Sequence, residues 1–200
     1  MQLPVFSKNN LKPLNFFTCL LNRNYVKPEL RQAVFNVANK MNEKYPYTKL
    51  NYLDANFPFF NKFPLIPHLS HNDGKKLDLS FYYLDNKTKK STNKCPSFIG
   101  YGICEDPLPN EINTAEFCAN KRYWQYSFIT KVISQANKVN FSFDNEKTKE
   151  LVKNLAMQIC ISKIFIEPHL KTRLNLTSDK IRFHGCQAVR HDDHIHIQIH

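Results

Sequence analysis

The 200-residue sequence contains no apolar run that approaches the ~20 residues needed to cross a bilayer, so we expect no membrane span. It also shows no internal repeat and no long low-complexity segment. No signal peptide is visible, because the first residues lack a basic start. The apolar share of 42% excludes a disordered chain, and the length predicts one domain over residues 1–200.

Nucleic-acid-binding motifs are also missing, although the formal net charge is +11. The lysines are scattered, and only Lys87, Lys89 and Lys90 form a local run. We therefore interpret the charge as a lysine- and asparagine-rich surface and expect no nucleic-acid partner. Attraction to an anionic cell-wall polymer is the functional alternative.

None of the six cysteines forms a Cys-x-x-Cys pair, which argues against a thiolate zinc site or a thioredoxin-type motif. An even number of cysteines fits disulfides, and Cys95, Cys104 and Cys118 lie in loop-like sequence where a disulfide is plausible. Cys160 lies in an apolar stretch and is interpreted as a buried free thiol. The cysteines therefore favour a periplasmic or secreted protein.

Hydrophobic periodicity predicts a domain of the α+β class. Helices are expected from Pro28 to an end at Pro46, near 124–132, and over 146–158 and 168–174, and strands over 49–54, 77–82, 159–166 and 194–199. Residues 85–121 are punctuated by glycine and proline and are predicted to form a long irregular insertion. We expect Tyr123, Trp124 and Tyr126 to belong to the core.

The last segment is the most informative one. Successive side chains of a strand point to opposite faces, so Ile195, Ile197 and Ile199 share one face. His194 and His196 share the other face, where they are suited to lining a metal cleft.

A second histidine-containing segment supports this interpretation. Gly74 lets the backbone turn between His71 in a loop and Asp78 on the following strand. Asp78 interrupts a pattern of apolar residues, and a buried carboxylate needs a partner such as a metal ion. Two imidazoles, one carboxylate and an open fourth position are typical of a catalytic zinc site. The open position would hold a water molecule whose pKa is lowered to roughly 7.

These two segments together resemble the motifs of the LAS metallopeptidases, the lysostaphin, D-Ala-D-Ala peptidase and Sonic hedgehog group. The first motif of the penicillin-insensitive murein endopeptidase branch is similar to His68-x-x-His71-x-x-Gly74-x-x-x-Asp78, and its second to His191-Asp192-Asp193-His194-x-His196. The sequence from Lys163 to Pro168 also resembles the strand-to-helix step before the second motif. The likeness covers about residues 67–199, apart from 85–121.

The resemblance implies one zinc ion per chain, with His71, Asp78 and His196 as its ligands. It implies that His194 does not bind the metal but helps as a base or in stabilising an oxyanion. The D-Ala-D-Ala peptidases have a glutamate three residues before that histidine, whereas this sequence has His191, as in the murein endopeptidase branch. Whether His191, His194 or both move the proton stays open.

Further residues of the two motifs have weaker assignments. His68 and Ser70 are candidates for contacting the substrate or supporting a ligand, although a loop histidine and a turn-capping serine are equally consistent. Asp192 and Asp193 could fix histidine tautomers, or lie exposed in a turn. His169 and His184, which belong to neither motif, are interpreted as structural.

The resemblance implies a hedgehog- or DD-peptidase-like fold: a small antiparallel sheet with the zinc cleft on one face and helices packed on the other. We expect a zinc peptidase that hydrolyses an amide bond by a metal-activated water, with peptidoglycan cross-link peptides as its substrate. The alternative is a non-catalytic zinc-containing binding module, since hedgehog-like members keep the metal without catalysis. The oligomeric state stays open.

Overall fold

The structure is a computed structural model that describes residues 1–58, 71–123, 126 and 128–200. The strands are β1 (Leu11–Pro13), β2 (Leu50–Tyr52), β3 (Lys76–Ser80), β4 (Tyr83–Asp85), β5 (Ser91–Thr92), β6 (Phe141–Phe143), β7 (Ile161–Phe165), β8 (Ile181–Arg182) and β9 (His194–Ile199). The α-helices are α1 (Phe16–Leu20), α2 (Pro28–Lys44), α3 (Thr114–Asn120), α4 (Phe128–Val132), α5 (Asn145–Ala156) and α6 (Pro168–Arg173). A 3-10 helix spans Ala136–Asn140.

Six of these strands form one sheet in the order β1-β2-β3-β9-β7-β8. The structure is therefore mixed α and β, consistent with the predicted α+β class. The sheet itself is a correction to the prediction of an antiparallel one, because β1 pairs with β2, and β7 with β8, in parallel. A parallel pair needs a crossover connection, which α1 and α2 supply between β1 and β2, and α6 between β7 and β8. β1 and β8 are too short to show a strand periodicity in the sequence.

The antiparallel centre of the sheet gives it two distinct faces. In the pairing of β3 with β9, Asp78 lies opposite His196, and Ser80 opposite His194. Leu77 and Leu79 alternate with these residues on β3, as Ile195 and Ile197 do on β9. Because the side of Asp78 and His196 carries the candidate metal ligands, we call it the metal-bearing face. We call the other side the helix-packed face.

Helices α2 and α5 cover the helix-packed face. Pro28 occupies the first turn of α2, and Asp144 caps α5 by accepting a hydrogen bond from the backbone amide of Lys147. Their buried apolar residues form one core with Leu77, Leu79, Ile195 and Ile197 from the sheet. This packing agrees with the predicted placement of the helices. Within the described ranges, no helix combines the length and the apolar character that a membrane crossing requires.

Residues 85–121 are more regular than predicted. β4 and β5 form a hairpin that joins β6 in a second sheet, and α3 lies near the end of the stretch. Strands of two or three residues leave no readable period in a sequence, which explains the error. The remaining irregular chain crosses the metal-bearing face, where the side-chain amide of Asn51 donates to the carbonyl of Asn93 at 2.8 Å.

A disulfide joins Cys118 on α3 to Cys186 in the segment before β9. Such a bond is typical of extracellular proteins. The prediction of a disulfide is confirmed at Cys118, whereas Cys95 and Cys104 are free thiols. Cys160 is free as expected, but only half-buried.

Candidate metal centre

Three side chains from distant parts of the sequence meet on the metal-bearing face. His71 lies in the loop that leads into β3, Asp78 projects from the middle of β3, and His196 projects from the directly opposite position on β9. All three are buried. The ligand atoms of these three described residues lie within 4.8 Å of one another, so the group could hold a metal ion. The structure thus brings together the three predicted ligands.

The spacing of the three ligand atoms fits a tetrahedral metal ion. Asp78 Oδ1 lies 2.8 Å from His196 Nδ1 and 3.3 Å from His71 Nε2. The two imidazole nitrogens are 3.2 Å apart. Zinc binds nitrogen and oxygen at about 2.0–2.1 Å, which places neighbouring tetrahedral ligands about 3.3 Å from one another. The donor set therefore fits zinc in both its chemistry and its spacing.

Two neighbouring groups orient the ligands. His71 Nδ1 lies 3.0 Å from the carbonyl oxygen of Ala55, an acceptor that places the imidazole proton on Nδ1 and leaves Nε2 with a lone pair toward the centre. The Tyr101 hydroxyl donates to Asp78 Oδ2 at 2.8 Å. Burial, and then the charge of Asp78, raise the pKa of Tyr101 well above its usual value, so the hydroxyl keeps its proton. Asp78 thus offers Oδ1 to a metal while Tyr101 binds the other oxygen.

Two further buried histidines flank the three ligand residues. The His194 ring lies 4.9 Å from the Tyr101 ring and 4.9 Å from the His191 ring, measured between ring centres. The His191 ring is 5.7 Å from that of His196. The structure therefore places both histidines that were predicted to be catalytic beside the candidate metal centre.

The two flanking histidines have opposite electrostatic environments. Burial lowers the pKa of His194, but the carboxylates of Asp193 and Asp78 outweigh it and leave the pKa above its ordinary value. Burial, together with the neighbouring histidines His194 and His196, lowers the pKa of His191 well below its ordinary value. His194 is therefore the better site for a positive charge, and His191 the better candidate for a neutral imidazole.

The acidic residues of the second motif have different partners. An Asp193 carboxylate oxygen forms a hydrogen bond with His194 Nδ1, and its other oxygen accepts from the Gly102 amide at 2.5 Å. Asp193 is thus positioned to fix the tautomer of His194. Asp192 pairs with Arg190 instead of a histidine. Its role is to hold the loop before β9.

Glu167, which was not predicted as a site residue, also anchors this loop. The backbone amide of His191 donates to the Glu167 carboxylate at 3.1 Å, and the Glu167 amide donates to the His191 carbonyl at the same distance. Thr114 donates its hydroxyl to the second carboxylate oxygen at 2.6 Å. Together these hydrogen bonds fix the backbone of His191 beside the candidate site.

His184, which was interpreted as structural from the sequence, also lies in the histidine cluster. Its ring stacks on Phe165 with 4.2 Å between ring centres and lies 5.3 Å from the His191 ring. His184 is exposed, whereas His191, His194 and His196 are buried. It therefore marks the side from which solvent reaches the cluster. Its spacing from the second motif offered no signal that could have revealed this position.

Other predicted residues fall into two groups. His68, Ser70 and Trp124 lie outside the described residues. His169 is buried and its Nε2 lies 2.7 Å from the carbonyl oxygen of Glu105, a structural contact as predicted. Tyr126 is buried, in agreement with the prediction that it belongs to the interior.

No protein-family model matches the chain, and no curated protein matches it at a significant level.

Proposed function

We propose that the protein is a zinc-dependent peptidase, with one zinc ion held by His71, Asp78 and His196. The observation that carries this proposal is the triangle of ligand atoms with sides of 2.8, 3.2 and 3.3 Å, with two further histidines beside it. Three protein ligands leave a fourth tetrahedral position for a water or substrate, the arrangement of catalytic zinc sites. A structural zinc site is closed by four protein ligands.

A zinc ion bound there would supply Lewis-acid polarisation of the substrate carbonyl and a lowered pKa for bound water. The chain supplies the remaining groups. His191, whose imidazole is kept neutral by burial, is the group proposed to accept a proton from the attacking water. His194, oriented by Asp193, is suited to donate a hydrogen bond to the oxyanion that develops on the carbonyl.

The proposed substrate is a cross-link peptide of peptidoglycan, in a periplasmic or extracellular location. The order and spacing of the two motifs support this assignment, because they resemble those of the murein endopeptidase branch. The same resemblance supports a hedgehog- or DD-peptidase-like fold. The Cys118–Cys186 disulfide fits an oxidising compartment, and a net charge of +11 is compatible with an anionic cell wall.

Digestion of purified muropeptides tests the proposal. The native chain should release products cut within the cross-link peptide, and a chelator should stop the reaction. His194→Ala should lower kcat by about 10²–10⁴-fold, the contribution of a positioned proton donor or acceptor, while the zinc content stays at one per chain. His200→Ala, which changes an exposed histidine at the end of β9, is the matched control and should retain full activity.

A different result would favour the binding module over the enzyme. If the native chain and His194→Ala both contain one zinc and are equally inactive on every cross-linked muropeptide, the peptidase assignment fails. A chain that cleaves muropeptides equally well after its zinc has been removed would contradict the metal-dependent chemistry.

A further inference from the structure

Helix α1 presents its apolar side chains to solvent. Phe16, Phe17, Leu20 and Leu21 are each more than half exposed. They occupy positions i, i+1, i+4 and i+5 and therefore share one side of the helix. Cys19 on the opposite side is buried, with its sulfur 3.2 Å from the Tyr52 hydroxyl. Buried Cys19 thus anchors the helix, and the large apolar side chains face solvent.

The apolar surface continues onto the neighbouring loop. The Phe98 ring, which is 71% exposed, meets the Phe17 ring edge to face with 6.1 Å between ring centres. The side-chain amide of Asn15, the N-cap of α1, donates to the Phe98 carbonyl at 3.3 Å. Ile99 is also exposed. We call these six residues the α1 patch: Phe16, Phe17, Leu20, Leu21, Phe98 and Ile99. An exposed apolar surface of this kind is typical of an interaction site.

Positive charge adjoins the α1 patch. Lys12 and Lys94 line a groove of about 510 Å³ together with Phe98. Neither lysine forms an ion pair within the part of the chain that the structure describes. Lys12 lies on β1 opposite Asn51, whose amide holds the loop at Asn93. The apolar and basic groups therefore occupy one edge of the sheet.

We propose that the α1 patch and the two lysines dock the protein onto a membrane surface that carries anionic lipid headgroups. The phenylalanine and leucine side chains would enter the boundary between headgroups and acyl chains, and the lysines would contact lipid phosphates. Charge complementarity selects this occupant, since a chain of net charge +11 attracts an anionic surface and repels a second copy of itself. The docking is independent of the proposed peptidase activity.

Sedimentation of the full chain with lipid vesicles tests this inference. We expect binding to vesicles of mixed phosphatidylcholine and phosphatidylglycerol, weaker binding to phosphatidylcholine alone, and a decrease with added salt. The double substitution Phe17→Ser and Leu21→Ser should weaken binding at least about ten-fold, because two large apolar side chains are then no longer transferred from water into the bilayer. Lys12→Gln and Lys94→Gln should each weaken it about five-fold.

Ile159→Ser is the matched control, because Ile159 is 92% exposed and lies outside the α1 patch. Its vesicle binding should equal that of the native chain. All variants should keep the native thermal midpoint, since each changes a residue that is not part of the apolar core. The proposal is overturned by absence of binding to the mixed vesicles, or by native binding in the Phe17→Ser, Leu21→Ser variant. It is equally overturned if sedimentation shows a stable dimer that this variant disperses, because the patch would then bind a second copy.

Discussion

The two faces of the β3–β9 strand pair are equally shielded from water but are built in different ways. On the helix-packed face, Leu77, Leu79, Ile195 and Ile197 are fully buried against α2 and α5. On the metal-bearing face, Asp78 is also fully buried, yet beneath polar side chains and irregular chain. Apolar packing stabilises the first face, whereas hydrogen bonds, ion pairs and a disulfide hold the second.

Within each of these two strands, the residues that stabilise the fold are therefore different from those that could carry chemistry. A buried carboxylate and several buried imidazoles are costly unless each has a partner. The isoleucines and leucines on the reverse side of the same strands supply the apolar burial that offsets this cost. The site is therefore placed on rigid strands, and the loops around it supply the orienting groups.

Removing the carboxylate ligand should have the largest effect. Asp78→Ala should lower the hydrolysis of cross-linked muropeptides at least about a thousand-fold, since polarisation by a metal ion contributes several kcal/mol to the transition state. The matched control is Asp73→Ala, which removes a carboxylate that pairs with Lys76 in the same region of the chain. Comparable rates for the two variants would show that Asp78 has no special role.

The disulfide should contribute the next largest effect, on stability. Cys118→Ser should lower the free energy of unfolding by about 4 kcal/mol, because the bond closes a loop with a sequence separation of 68 residues. Denaturant unfolding measures the difference. Cys160→Ser, which changes a half-buried free thiol, should remain near the native value. Equal losses in both variants would mean that the disulfide does not constrain the fold.

Truncation on the helix-packed face should affect stability but not metal binding. Ile197→Ala should lower the free energy of unfolding by about 3 kcal/mol, through lost apolar burial and the cavity that remains. Its zinc content should stay at one per folded chain. Exposed Ile159→Ala is the control, with a change below about 0.5 kcal/mol expected. A loss of zinc from folded Ile197→Ala would show that the two faces are not separable.

A small change on the metal-bearing face should act chiefly on metal binding. Tyr101→Phe removes the hydrogen bond to Asp78 Oδ2 and should weaken zinc binding about 10–100-fold. Competition with a chromophoric chelator measures the affinity. Tyr47→Phe, at an 88% exposed position, should bind zinc like the native chain. An unchanged affinity in Tyr101→Phe would mean that the tyrosine does not orient the carboxylate.

The sequence predicted those parts of the site that lie on regular strands. Alternation along β9 separates the isoleucines from His194 and His196, and the out-of-pattern Asp78 reveals the facing strand. The long helices followed from their apolar spacing and capping residues in the same way. These features are local, so a single sequence carries them.

The residues that the sequence analysis missed come from segments without periodicity. Tyr101 contacts Asp78 across 23 positions of sequence, and Glu167 contacts His191 across 24. His184 lies in the cluster, two residues before Cys186, whose disulfide joins this segment to α3. Irregular segments have no sequence periodicity from which their path could be predicted. Their contacts form only in the assembled fold. The parallel edge strands escaped prediction because they are only two or three residues long.

The most direct test of the metal centre is the zinc content of the purified full chain after dialysis, measured by elemental analysis. We expect about one zinc per chain in the native protein and in His194→Ala, and none in His71→Ala, Asp78→Ala or His196→Ala. Absence of bound zinc in the native protein after incubation with the metal would contradict the proposed centre. The same contradiction would follow if all three ligand variants retained one zinc per chain.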